Sequence, residues 1–151
     1  MYFCIMDNHI HKRHNKTLLL YHLVFPVKYR KKIIEDPISL FMKEVCIEIG
    51  DKYEIQFVEI GTDEDHVHFL VQSLPTMSVD NIARIIKSIT AKEIFKFFPE
   101  IKKELWGGSF WTSGYYANTV GQYGNVDTIR KYVENQGRKY KQIHVQQLSL
   151  W

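Results

Sequence analysis

Cysteine is scarce. Cys4 and Cys46 are the only two in 151 residues. Neither sits in a Cys-x-x-Cys or Cys/His spacing, which excludes a disulfide framework, a zinc ribbon and a dithiol redox motif. A reducing, cytoplasmic setting is expected. Long apolar runs are missing too. Nothing approaches the roughly 20 residues that cross a bilayer, so no membrane partner is expected. The opening Met1-Tyr2-Phe3-Cys4-Ile5-Met6 is apolar but has no basic leader and no cleavage site, so it does not read as a signal peptide. Nor does charge of one sign dominate. Lys and Arg number 20 against 17 Asp and Glu, a net charge of +3. That balance permits nucleic-acid binding without demanding it. What is plentiful is apolar and aromatic: 45% hydrophobic and 14% aromatic residues, with 25% charged. This is the profile of a globular chain with enough length for one full core.

One stretch organises the rest: Glu59-Ile60-Gly61-Thr62-Asp63-Glu64-Asp65-His66-Val67-His68-Phe69-Leu70-Val71-Gln72. It reads as strand, polar turn, strand. Side chains alternate faces along a strand, so His66 and His68 project together while Val67 points the other way, toward a core. Two neutral imidazoles on one face suit a first-row divalent ion. Asp65 stands where a carboxylate could orient an imidazole from behind. On its own such a pair is more often packing or surface than metal site.

Residues 1–16 read as an irregular arm. It carries a second histidine-hydrophobe-histidine triplet, His9-Ile10-His11, taken here as part of a polar terminal segment because no strand pattern surrounds it. Thr17 to Val27 is nearly continuous in apolar residues and reads as a central strand that Pro26 ends. His22 within it reads as a satisfied core or near-site histidine. Lys28-Tyr29-Arg30-Lys31-Lys32 is either a solvated turn or a loop that contacts phosphate. Asp36-Pro37 predicts a helix start, with Asp36 as cap. Ile38, Phe41, Met42, Val45, Cys46 and Ile49 give its apolar stripe, and Gly50 its end. Tyr53–Gly61 and His66–Gln72 form a predicted hairpin. Ser78 predicts the cap of a long helix to about Phe98, with Val79, Ile82, Ile85, Ile86 and Ile89 facing the core. Arg84, Lys87, Lys92 and Lys96 lie off that stripe. They form a solvated face or one that tracks a nucleic-acid backbone. Pro99–Gly108 reads as a connector, and Phe110–Gly121 as an aromatic-rich fourth strand.

A last helix is predicted from Val126 to about Lys141, with Asn125 as its cap. Tyr132 and Gln136 are four apart and share one of its faces. A tyrosine hydroxyl can act as a covalent nucleophile, and a glutamine carbonyl can be a neutral metal ligand. An ordinary amphipathic helix with a surface tyrosine fits the same pattern. Gln142 to Trp151 is a tail without a clear pattern. The domain is thus placed at 17–141, between the arm and the tail.

Taken together these pieces resemble a family. They are Tyr21-His22-Leu23-Val24-Phe25-Pro26 with its basic turn, Asp65-His66-Val67-His68, Phe110-Trp111 with Gly114-Tyr115-Tyr116, Thr119-Val120-Gly121, and Ile129-x-x-Tyr132-Val133-Glu134-Asn135-Gln136. Their order resembles the single-tyrosine transposases of the insertion sequence 200/605 family, named for the histidine-hydrophobe-histidine (HUH) motif. The resemblance covers residues 14 to 140. It implies an α+β, ferredoxin-like fold, a central antiparallel sheet with helices packed on one face. It implies a homodimer that cuts and rejoins single-stranded DNA at element ends carrying subterminal hairpins. It implies His66, His68 and Gln136 as ligands of Mg²⁺ or Mn²⁺, and Tyr132 as the nucleophile. The basic residues expected on DNA are Lys28, Arg30, Lys31, Arg84 and Lys87. Three alternatives stay open: a replication-initiator or relaxase nuclease, a repeat-associated tyrosine transposase, and a non-catalytic nucleic-acid-binding module of the same fold.

Overall fold

A computed structural model of the chain describes residues 9–121. The predicted tyrosine helix, with Tyr132 and Gln136, and the C-terminal tail lie outside the described residues. The described elements run β1 (Ile10–Lys12), β2 (Asn15–Thr17), β3 (Leu19–Pro26), α1 (Asp36–Tyr53), β4 (Gln56–Thr62), β5 (His66–Ser73), α2 (Val79–Phe97), α3 (Pro99–Glu104) and β6 (Tyr116–Val120). A single 3₁₀ turn covers Lys28–Arg30.

β3 to β6 form one antiparallel sheet in the order β4-β5-β3-β6. With α1 between β3 and β4, and α2 between β5 and β6, this is the ferredoxin-like arrangement expected. Leu23 and Phe25 of β3 share a face with Val67, Phe69 and Val71 of β5, and all five are fully buried. Ile38, Met42, Val45, Cys46 and Ile49 of α1 and Ile82, Ala83, Ile86 and Ile94 of α2 close over them as one core. The Phe25 and Phe69 rings meet at 5.1 Å between centroids in its middle. Burying each such side chain contributes about 1.5–3 kcal/mol, and the shared core fixes the register that places the other face.

α2 starts as expected: the Ser78 hydroxyl accepts the N–H of Asn81 at 3.1 Å. α1 differs at both ends. Glu35, not Asp36, occupies the cap position, and its side chain makes no capping bond. Gly50 does not end the helix, which continues to Tyr53 and closes on Glu54 in the left-handed region. The glycine serves a close approach instead. A Cβ there would sit 2.8 Å from the Ile55 carbonyl oxygen.

Three further expectations are corrected. The arm is not irregular through residues 10–17: β1 and β2 pair as a small hairpin around Arg13 and His14. Both strands are largely exposed and polar, so no alternation announces them. The connector after α2 is partly helical, because Pro99 opens α3 at a position where its missing N–H costs nothing. The fourth strand is shorter than expected. Trp111 makes an isolated bridge with Val27, and regular pairing resumes only at Tyr116.

Candidate active site

The sheet face away from α1 and α2 carries the histidines. β5 lies between β4 and β3, and His66 and His68 stand opposite Pro26 and Val24. Both are buried, His66 to 6% and His68 to 1% exposure. Their rings meet edge to face at 4.8 Å between centroids. His22 of β3 joins them across the ladder. Its ring stacks on that of His68 at 5.3 Å, and its Nε2 lies 3.1 Å from His68 Nδ1.

Hydrogen bonds engage Nδ1 of both motif histidines. His66 Nδ1 is 2.6 Å from Asp65 Oδ1. Burial alone would push the Asp65 carboxyl up. The hydrogen bond from His66 and the nearby Arg30 guanidinium outweigh it and hold the group below its usual range. An ionised Asp65 only accepts, so the proton sits on His66 Nδ1 and the lone pair on Nε2. The His22–His68 bond permits the same tautomer in His68, with Nδ1–H donating to His22. The two buried Nε2 atoms are then the nitrogens offered to an ion. This donor set fits a first-row divalent metal. Among the described residues no group of three or more His, Cys, Asp or Glu is placed to hold one. A further ligand must therefore be of another type or come from beyond them.

Arg30 reaches the same carboxylate. Its Nε and Nη2 donate to Asp65 Oδ2 at 3.2 and 3.1 Å. Asp65 thus bridges the basic turn and His66. Lys31 Nζ donates to the Glu104 carbonyl at 2.9 Å, and Lys28 Nζ lies over the Tyr29 ring. Arg84 and Lys87 stand elsewhere, on α2. Arg84 pairs with Asp80 at 2.8 Å, one turn away. Lys87 Nζ donates to the carbonyls of Thr112 and Gly114 at 2.7 and 3.1 Å, and desolvation lowers its pKa. Both line a cavity of about 510 Å³ with Phe110, Trp111 and Tyr115. Lys28 lines the same cavity, so of the five basic residues expected on DNA three share it, while Arg30 is bonded to Asp65 beside His66 and Lys31 to the Glu104 carbonyl.

Sequence reasoning left the His22–His68 bond unforeseen. Its signal is register: a histidine two places along a partner strand from the directly opposed residue reaches diagonally.

Residues 15–136 match the family described as Transposase IS200 like. The chain belongs to that family. The ISDra2 transposase TnpA of Deinococcus radiodurans is 29% identical over 121 residues, 80% of this chain and 86% of that protein. A transposase for the insertion sequence element IS200 of Salmonella typhimurium is 26% identical over 123 residues, 82% of this chain and 80% of its own. A crystal structure from Deinococcus radiodurans, assigned as a transposase, superposes with a TM-score of 0.69 at 28% identity over 84% of this IS200-like transposase and 97% of that chain. A repeat-associated (REP) tyrosine transposase bound to a REP hairpin shares the fold, with a TM-score of 0.53 at 10% identity, over 82% of this chain and 67% of that one. No helix among the described residues is long and apolar enough to cross a membrane.

Proposed function

We propose that this IS200-like transposase cuts and rejoins single-stranded DNA through a covalent tyrosine linkage, as a homodimer acting in the cytoplasm on element ends that carry subterminal hairpins. The Tyr132 hydroxyl attacks the scissile phosphorus. A Tyr132 Oη–P bond forms, the P–O3′ bond breaks, and the leaving oxygen takes a proton as a free 3′-OH. The 5′-phosphotyrosine retains the energy of the cut bond, so a later attack by a 3′-OH rejoins strands without ATP. His66, His68 and Gln136 hold a divalent ion, Mg²⁺ or Mn²⁺, which when bound supplies Lewis-acid polarisation of the phosphate. Asp65 and His22 keep the two imidazoles in the tautomer and orientation that this requires.

The observation that supports this most is the oriented pair of buried histidines within a family of transposases. Two imidazoles favour Mn²⁺ over Mg²⁺ in affinity, since Mg²⁺ prefers oxygen ligands. The hairpin in the REP-bound structure supports folded single-stranded DNA as substrate. The similarity to insertion-sequence transposases at 26–29% identity favours a mobile element over a repeat-associated role.

Nicking of a labelled single-stranded hairpin end, run beside gel-shift affinity, tests the reading. His66→Ala is expected to abolish nicking and largely spare binding. Tyr132→Phe is expected to give no covalent adduct on a denaturing gel. His9→Ala and His11→Ala should nick normally. Wild-type nicking by His66→Ala, or an adduct from Tyr132→Phe, sinks the assignment.

A further inference from the structure

Two large aromatic side chains stand in solvent, one of them next in the chain to Arg30, which bonds Asp65. Tyr29 is 58% exposed and Trp106 is 73% exposed. They come from distant parts of the chain, the turn after β3 and the turn after α3. Their rings meet at 5.1 Å between centroids with an interplanar angle of 66°. Packing does not account for them, because a ring placed for the core is buried, as Phe25 and Trp111 are.

Their backbones are unusual. Tyr29 has φ 60°, Arg30 φ 53° and Trp106 φ 53°. The left-handed region is uncommon for bulky side chains, and it persists only where surroundings enforce it. Here they do. The N–H of Lys28 donates to the Phe110 carbonyl, that of Val27 to Asp65, and that of Gly107 to Lys102, each at 2.8 Å. The rings are therefore held outward by the fold.

Cations surround the pair. Lys31 Nζ sits 4.6 Å from the Trp106 centroid and Lys28 Nζ 5.6 Å from that of Tyr29. Exposed aromatics interleaved with cations suit single-stranded nucleic acid, whose bases stack on rings while its phosphates pair with lysines. The bonded path to the histidines is short: Tyr29, Arg30, Asp65, His66.

We propose that Tyr29 and Trp106 form a stacking seat for an unpaired base of the DNA strand, with Lys28 and Lys31 on the adjoining phosphates. The seat fixes one base next to the site, so the strand enters in one register. This rests on the single-strand DNA reading above.

The test compares two labelled strands of about 15 nucleotides, within the range such sites occupy. One is a thymidine homopolymer. The other has the same phosphates and no bases. The wild-type full chain is expected to bind the thymidine strand roughly tenfold or more tightly than the abasic strand. A Tyr29→Leu/Trp106→Leu double variant keeps apolar bulk without π faces. It should lose roughly ten- to a hundredfold on the thymidine strand, with abasic affinity and salt slope unchanged. Trp106→Phe, which keeps a π face, should retain most of the affinity.

Unchanged thymidine affinity in the double variant overturns the seat. So does an equal loss on both strands, which assigns the rings to folding or to phosphate contact. A wild-type chain that binds neither strand overturns the single-strand reading and the seat together. Stacking-dependent binding without nicking or adduct leaves the seat standing and overturns only the proposed chemistry.

Discussion

Burial in the core pushes the Cys46 thiol up to about 12. The neutral thiol is the form the apolar interior accepts, and thiolate is the reactive one. Cys46 should therefore be inert while the chain is folded. In a Cys4→Ser background, a thiol reagent at pH 8 is expected to label nothing in native buffer and one thiol per chain in denaturant. The sign of the pH dependence follows. Between the ordinary value of 9.0 and about 12 the unfolded chain releases a proton that the folded chain keeps. This contribution to stability is complete below pH 9 and declines as pH rises through that window. Rapid labelling of the folded protein at pH 8 would place Cys46 outside the core.

At the scale of the element, Gly50 of α1 reverses a common rule. Glycine inside a helix usually costs about 0.5–1 kcal/mol relative to alanine. Here the Ile55 carbonyl occupies the space a methyl would need, at 2.8 Å, and it is backbone that cannot rotate aside. Gly50→Ala is expected to destabilise by about 1–3 kcal/mol, the range of an overpacked core site. Urea denaturation checks this, and an unchanged or raised midpoint would refute it. The same residue shows why boundaries were less legible than elements. From sequence, a glycine after an apolar stripe looks like a helix end. Its purpose here is a contact with a residue beyond the helix, which only the fold creates. Ser78 was legible because capping is local: its partner, Asn81, is three residues away. The β1–β2 hairpin was not, because neither strand buries a clear face.

At the scale of the whole molecule, the histidine pair was readable because a strand period of two fixes its face without tertiary information. Of its braces, Asp65 was readable as the chain neighbour of His66, and the two distant ones were not. His22 is 46 positions from His68, and Arg30 is 35 from Asp65. The sheet order, with β3 beside β5, makes them neighbours. Lys87 looked like a surface cation by helical spacing, but it is held by carbonyls of the segment before β6. Whether the proposed homodimer shares its sites between subunits has its own test. Tyr132→Phe and His66→Ala subunits, combined in one tagged heterodimer, put both lesions in one site if tyrosine and histidines meet across the dimer. The other site stays intact, and about half of the wild-type nicking should return. A silent heterodimer beside active wild type would mean that each subunit uses its own tyrosine.

Every residue of β5 is buried, from His66 to Ser73. Odd and even positions carry different duties, the core on one face and the histidines on the other. The strand therefore has no silent position. A substitution there alters either the fold or the reaction, and one that shifts pairing by a single residue exchanges the two faces and ruins both. Room for variation lies outside this strand, in the exposed residues of the turn ahead of Asp65 and of the basic loop after β3. Adaptation to a new DNA sequence can then proceed by changing the frame around the site while β5 stays as it is.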